Sequence, residues 1–219
     1  MAELVLPPRR LVPSIYRGPD EHLAELIYHP VTGLVYRWRF RQALEALESA
    51  GPCTELLEVG YGAGLLLPSL AGMCRAVEAV DVHSYTQGVQ QMLTELHLTN
   101  VRVGFGSILD LPYTDGRFGQ VLCVSVLEHF RELDRAVSEL ARVTVAGGSV
   151  VLGFPTKNIV TKALFRLVGY EDDVIHPSSH RQILDAVRRV MDVDRVWRLP
   201  HGAPLDLSLY VVARCKVRS

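Results

Sequence analysis

The chain has 219 residues, a formal net charge of −1, 48% hydrophobic residues and 21% charged residues. That length holds one domain with a single substantial core, and the composition excludes a disordered chain. The near-neutral charge leaves no electrostatic footprint for nucleic acid, no segment is long and apolar enough for a membrane span, and MAELVLPPRR lacks the apolar run of a secretory signal. A cytoplasmic protein is expected. Cys53, Cys74, Cys123 and Cys215 are far apart and form no CxxC pair, which points to buried thiols rather than a disulfide framework or a zinc site.

Residues 1–50 read as an N-terminal arm and helical cap. The arm is proline-rich up to Pro19, and a helical pattern follows, interrupted by His29-Pro30 and Gly33. From Tyr36 to Ser49 the apolar residues Leu44, Leu47 and Ala50, or else Phe40, Ala43 and Leu44, have the spacing of one helix face, and Gly51-Pro52 ends it. Arg9, Arg10, Arg17, Arg37, Arg39 and Arg41 crowd this part and read as a solvated helix face with a fraying tail. Its aromatic residues Tyr16, Tyr28, Tyr36 and Trp38 are candidates to close a site from this side, with core packing as the plainer reading.

Short apolar runs then alternate with helical stretches. Strands are predicted over Thr54–Val59, Ala76–Asp81, Val101–Phe105, Gln120–Val124 and Ser149–Phe154. Helices are predicted from the glycines after Val59 towards Ala71, over Ser84–Leu96 and over Glu132–Val143. This is the pattern of a parallel sheet with helices on both faces. After a helix near Ser178–Val190, runs at Asp192–Leu199 and Leu207–Lys216 are joined by a connection too short for a parallel crossover. They must be antiparallel.

In Glu58-Val-Gly60-Tyr61-Gly62-Ala-Gly64 an apolar strand runs into three glycines and a helix. Glycines there admit positive φ and a close ligand, and a helix N-terminus offers unpaired N–H groups. The Glu58 carboxylate suits a ligand with a positive amino group and opposes a pyrophosphate. A dinucleotide fingerprint would have glycine where Leu65 stands. Asp81 ends the second strand, where a carboxylate can accept from both ribose hydroxyls. Val82 and His83 adjoin it in the same candidate set, and helix capping is the bland alternative for Asp81, His83 and Ser84.

The runs LLEVGYGAG, VEAVDVHS and GSILDLPYTDGRFGQVLCVSVLEHF, within Thr54–Phe154, resemble the class I S-adenosylmethionine-dependent methyltransferases, notably the subgroup acting on small molecules and lipids. The resemblance implies a three-layer α/β/α sandwich with a seven-stranded sheet in the order 3-2-1-4-5-7-6. It implies that Glu58, Gly60, Tyr61, Gly62 and Gly64 line the methionine part of the cofactor and that Asp81 holds its ribose. Cys123, Val124 and Ser125 would form the floor beside the sulfonium. Glu128 and His129 face the substrate in many relatives, although a capping or core role fits each equally well. Residues 155–180 would form part of a substrate lid. Two departures stand out: Ser107 replaces the acid that usually reads the adenine amino group, with the Ile108 N–H as a second contact, and Gly119 replaces an aspartate.

Methyl transfer from a sulfonium is an in-line displacement that mainly needs positioning and exclusion of water. An oxygen nucleophile would also use a base, for which His129, His176 and His180 are the candidates. Pro177 argues against a helical metal pair from His176 and His180, and no metal is expected. Ile159–Val168, with Lys157, Lys162 and Arg166, is amphipathic, which suits packing and also a lipid-like acceptor. The expected function is methyl transfer to an O, N or C nucleophile of a small molecule or lipid-like acceptor. A methyltransferase-like binding module without activity is the first alternative, kept open by Ser107 and Gly119. A nicotinamide-dependent oxidoreductase is the second, opposed by Leu65 and the antiparallel end.

Overall fold

The apolar run after Gly51-Pro52 forms β1 (Cys53–Val59), and every other parallel strand is placed by reference to it. The computed structural model describes residues 3–11, 27–30, 32–83, 85–158, 161 and 177–218. On one side of β1 lie β2 (Cys74–Asp81) and then β3 (Val101–Phe105); on the other lie β4 (Phe118–Val124) and then β5 (Thr144–Pro155), all parallel. The last two strands, β6 (Met191–Leu199) and β7 (Tyr210–Val217), form the expected antiparallel pair, with β7 inserted between β5 and β6. The sheet order is β3-β2-β1-β4-β5-β7-β6, as the resemblance implied.

Five helices are described: α1 (Thr32–Glu48), α2 (Leu67–Met73), α3 (Thr86–Glu95), α4 (Leu133–Val143) and α5 (His180–Val190). Because successive strand residues point to opposite faces, each strand feeds two cores. Leu56, Leu122 and Val151 pack with Leu44 and Leu47 of α1, Leu70 of α2 and Val89 of α3. Leu57, Val121 and Val150 pack on the other face with Val137 and Leu140 of α4 and Ile183 and Val187 of α5. The result is three layers.

Two element boundaries differ from the sequence reading for local reasons. The glycine turn does not lead straight into a helix: residues 61–66 form turns, and α2 begins only at Leu67, without a side-chain cap. The N–H groups near the site are therefore those of a loop, not of a helix end. α5 begins at His180 because Ser179 makes a capping box, its hydroxyl accepting from Gln182 N while the Gln182 side chain accepts from Ser179 N.

Of the segment 155–180, residues 159, 160 and 162–176 lie outside the described residues, as do 12–26 of the arm. No helix among the described residues is long and apolar enough to cross a membrane.

Candidate active site

β1 is followed in chain order by β2 on one side, whereas β4 lies on its other side, so a crevice opens at the carboxyl ends of β1 and β4. In open α/β sheets ligands bind at such a switch point. The glycine turn enters it. Gly60 N donates to Val80 O at 2.8 Å, and its φ of +83° is a left-handed conformation. A Cβ on Gly60 would lie 2.2 Å from Val126 Cγ2, so the turn after β4 packs directly on the backbone of the turn after β1. Tyr61 is buried, with its ring edge-on to the His83 ring at 5.0 Å.

Asp81 ties the two sides of the crevice together. Its Oδ2 accepts from Gly62 N at 2.8 Å and its Oδ1 from Val82 N at 2.7 Å. His83 adds a second tie. Its Nδ1 accepts from Tyr85 N at 3.2 Å, which assigns the proton to Nε2, and Nε2 donates to Gly62 O at 2.9 Å. An ionised carboxylate has about four lone-pair sites, so Asp81 keeps acceptor capacity for hydroxyl donors.

Glu58 lies at the end of β1, 4% exposed, and its Oε2 has no hydrogen-bond partner. Burial, with the Asp81 charge adding to it, pushes its carboxyl up to about 8. A buried orphan acceptor is costly unless a ligand satisfies it, and a cationic amino group would do so. Cys123 and Val124 are buried next to it at the end of β4. Burial pushes the Cys123 thiol well up, and the charges of Glu128, Glu58 and Asp81 act in the same direction. The three acids thus gather around one end of β4.

After β3, Ser107 Oγ accepts from Leu109 N at 3.2 Å and Ser107 O from Asp110 N at 3.0 Å. The hydroxyl that replaces the usual acid therefore closes its own turn, and Ile108 is buried. Val82 and Phe105 expose apolar surface at the ends of β2 and β3.

Beyond β4, Ser125 holds a φ of +58°, an uncommon value for a residue with a side chain. Its N donates to Gly153 O at 2.7 Å, and its Oγ lies 2.8 Å from the Tyr210 hydroxyl. Tyr210 is buried, which pushes its phenol well up. Glu128 sits in the 3-10 turn Leu127–His129, 2% exposed, with an unpartnered Oε2. Burial pushes its carboxyl up to about 8, although its own backbone N–H and the Arg39 charge pull the other way. Arg39, on α1, stacks 3.9 Å above the Tyr36 ring and 5.6 Å from the Tyr210 ring. The expectation of a solvated arginine face is thus corrected for Arg39: it is half-buried among aromatic rings. Arg39 and Tyr210 are the site residues that sequence reasoning missed. Arg39 carried no signal beyond its aromatic neighbours, and Tyr210 none at all.

The other candidates scatter. Tyr28 donates to Pro7 O at 2.5 Å and anchors the arm. His129 is exposed beside Glu128. His180 is buried at the start of α5; its Nδ1 accepts from Lys157 N at 3.0 Å and its Nε2 faces Asp206 Oδ1 at 3.2 Å, so both nitrogens hold structure together. Tyr16 and His176 lie outside the described residues. The cysteines are free thiols, and no metal-ligating cluster occurs among the described residues.

This geometry agrees with what the chain is similar to. A family model described as a methyltransferase domain matches residues 57–152. The ubiquinone biosynthesis O-methyltransferase of Coxiella burnetii is 29% identical over 168 residues, covering 70% of this chain and 71% of its own. The ajmaline N-methyltransferase of Rauvolfia serpentina is 26% identical over 107 residues, covering 44% and 34%. The chain spans only 30% to 41% of the length of three of the curated relatives it matches. Among solved structures, the N-methyltransferase NodS from Bradyrhizobium japonicum, in complex with S-adenosyl-L-homocysteine, superposes with a TM-score of 0.67 at 18% identity, covering 96% of this chain and 98% of that one. The strand order, the acidic glycine turn and the methyltransferase-domain match over residues 57–152 agree with one another, and the chain is similar in sequence and fold to the class I S-adenosylmethionine-dependent methyltransferases.

Proposed function

We propose that this chain transfers a methyl group to a nucleophilic atom of a small molecule or lipid-like acceptor by in-line displacement. The observation that carries the reading is Glu58: a buried carboxylate with an unpartnered Oε2 beneath the glycine turn, facing the crevice that Asp81 closes. S-adenosylmethionine, when bound, supplies an electrophilic methyl on a sulfonium. Glu58 would hold its amino group, Asp81 its ribose hydroxyls, and the apolar surface of Val82 its adenine. Cys123, Val124 and Ser125 would border the reacting centre. The chain's own contribution is to orient the two reactants and keep water out, effects that supply several kcal/mol without a covalent intermediate.

The small-molecule part of the reading rests on relatives named for ubiquinone biosynthesis and for ajmaline, which between them methylate oxygen and nitrogen. Residues 1–219 act as one domain, with 1–50 and 155–180 as cover, and the free thiols suit the cytoplasm. His129 is retained as a candidate near the acceptor.

Calorimetry with S-adenosylmethionine and NAD tests the cofactor. Binding of NAD alone would overturn the proposal, and Glu58 under the turn opposes it. A binding module without turnover is the reading favoured by Ser107, whose hydroxyl is spent on its own turn. Methyl-labelled cofactor incubated with a metabolite extract separates the two: transferred label supports the enzyme, and binding without any label supports the module.

A further inference from the structure

β1 and β2 each begin with a cysteine, and their parallel register sets Cys53 directly opposite Cys74. Neighbouring strands lie about 4.8 Å apart, within the Cα separation of about 4.4–6.8 Å that a disulfide spans. Register partners in a parallel pair point to the same face, and both thiols belong to the core covered by α1, α2 and α3. The strand starts are held in place. The Asn100 side chain donates to Cys74 O at 3.1 Å, and the Gln120 side chain donates to Gly51 O at 3.0 Å, just ahead of Cys53. The other two cysteines have no thiol across from them: Cys123 lies between Val59 and Leu152, and Cys215 between Val150 and Val193.

The two thiols differ in a way that suits stepwise chemistry. Cys74 is buried and Cys53 is partly exposed, so a solvent-borne oxidant meets Cys53 first. The Cys74 thiol donates a hydrogen bond to the Cys53 sulfur, which holds the Cys53 thiol below its usual value against the upward push of burial. The same bond, with burial, pushes Cys74 up. The thiolate is the reactive form, and Cys53 is the thiol that reaches it more easily.

We propose that Cys53 and Cys74 form a reversible disulfide when the protein meets hydrogen peroxide, stapling the segment that carries the glycine turn. The Cys53 thiolate attacks one peroxide oxygen, an S–O bond forms as the O–O bond breaks, and hydroxide leaves to be protonated to water. The Cys74 sulfur then attacks the Cys53 sulfenic acid. An S–S bond forms, the S–O bond breaks, and the oxygen departs as a second water with the Cys74 proton. Two thiols are thereby oxidised by two electrons, and one peroxide is reduced to two waters. A dithiol reductant reverses the step: its first thiolate attacks the accessible Cys53 sulfur and displaces Cys74, and its second displaces Cys53.

The bond closes a loop over residues 53–74, which holds Glu58, the three glycines and α2. Such a closure stabilises mainly by restricting the unfolded chain. It lies at the amino ends of the strands, roughly 20 Å along β1 from the crevice at their carboxyl ends. The proposal therefore stands apart from the methyltransferase reading.

The test uses the full chain, reduced, treated with a small molar excess of hydrogen peroxide and quenched with catalase. Thiols titrated after denaturation should fall from four to two, and the intact mass should fall by two hydrogens. Cleavage after Glu55 and Glu58 puts the two cysteines on separate peptides, which should run linked without reductant and apart after dithiothreitol. The oxidised protein should melt about 5–10 °C above the reduced one. Cys74→Ser should stop at a Cys53 sulfenic acid that dimedone captures, Cys53→Ser should give no link, and Cys215→Ser should link as wild type does. Unlinked peptides, a link through Cys123 or Cys215, or cross-linked dimers alone overturn the proposal. So does an oxidised wild type that melts no higher than the reduced. The wild-type peptide map decides the matter even where a serine variant fails to fold.

Discussion

Asp81 Oδ2 accepts a hydrogen bond from Gly62 N at 2.8 Å, so the acid that ends β2 also holds the turn that follows β1. Asp81 therefore has a duty toward the chain and, under the proposed function, a second toward ribose. Asp81→Ala should weaken S-adenosyl-L-homocysteine binding by about 1–3 kcal/mol and also loosen the glycine turn. Asp81→Asn keeps an acceptor for Gly62 N and should lose less of both. Calorimetry with each variant measures the difference, and equal affinities in wild type and Asp81→Ala would remove Asp81 from the site.

Gly60 and Gly62 should respond unequally to the same substitution. In Gly60→Ala the new methyl meets Val126 Cγ2 at 2.2 Å on top of a positive φ, whereas at Gly62, with φ +52°, a Cβ meets nothing within 4 Å. Gly62→Ala should cost about 1 kcal/mol from the backbone conformation. Gly60→Ala should cost more, on the order of 2–4 kcal/mol, as overpacking is added to strain. Urea unfolding of both variants gives the comparison.

Glu58 should make cofactor binding pH-dependent. With its carboxyl raised to about 8, it is largely protonated at pH 7 in the free protein and must ionise to meet an ammonium. Binding should then release a proton, and affinity should rise as pH increases from 6 to 8. Calorimetry at pH 7 in buffers of different ionisation enthalpy reads that proton directly. Glu58→Gln should bind more weakly and release none.

The same raised groups bear on stability with a definite sign. Glu58 and Glu128 are both pushed from 4.5 to about 8 on folding, so the folded chain holds protons that the unfolded chain has given up between those values. Their contribution is fully present below about 4.5 and is lost as pH rises through about 8. The ligand-free protein should therefore lose stability from this source between pH 5 and 8. Glu58→Gln and Glu128→Gln, which mimic the protonated acid, should each flatten the melting-temperature profile across that interval.

His180 offers a contrast between a structural and a catalytic histidine. Its two nitrogens join Lys157, two residues past the end of β5, to Asp206 in the turn before β7. We expect His180→Ala to lower the melting temperature, with methyl transfer per folded molecule largely kept. A collapse of turnover at unchanged stability would restore His180 as a base.

Much was legible in the sequence because it rests on local rules. The alternation of apolar runs and helical stretches determined the parallel sheet, the short 200–204 connection determined the antiparallel end, and the glycines after Val59 and the acid ending the second strand marked the turn and strand end that Asp81 and Gly62 join. Positive φ, strand ends and loop lengths are properties of a few neighbouring residues, which a sequence displays. The tertiary structure decided what depends on residues far apart. It took Arg39 from a presumed solvated face and set it over Tyr36 near Tyr210, 171 positions later in the chain than Arg39, and it left Oε2 of Glu58 and of Glu128 buried without partners. It also committed both nitrogens of His180 to the fold. Burial and the presence or absence of a partner are set by the whole packed sheet, and so the glycine turn and the strand-end Asp81 could be read from the chain, whereas the grouping of Arg39, Glu128 and Tyr210 emerged only once α1, the turn after β4 and β7 came together.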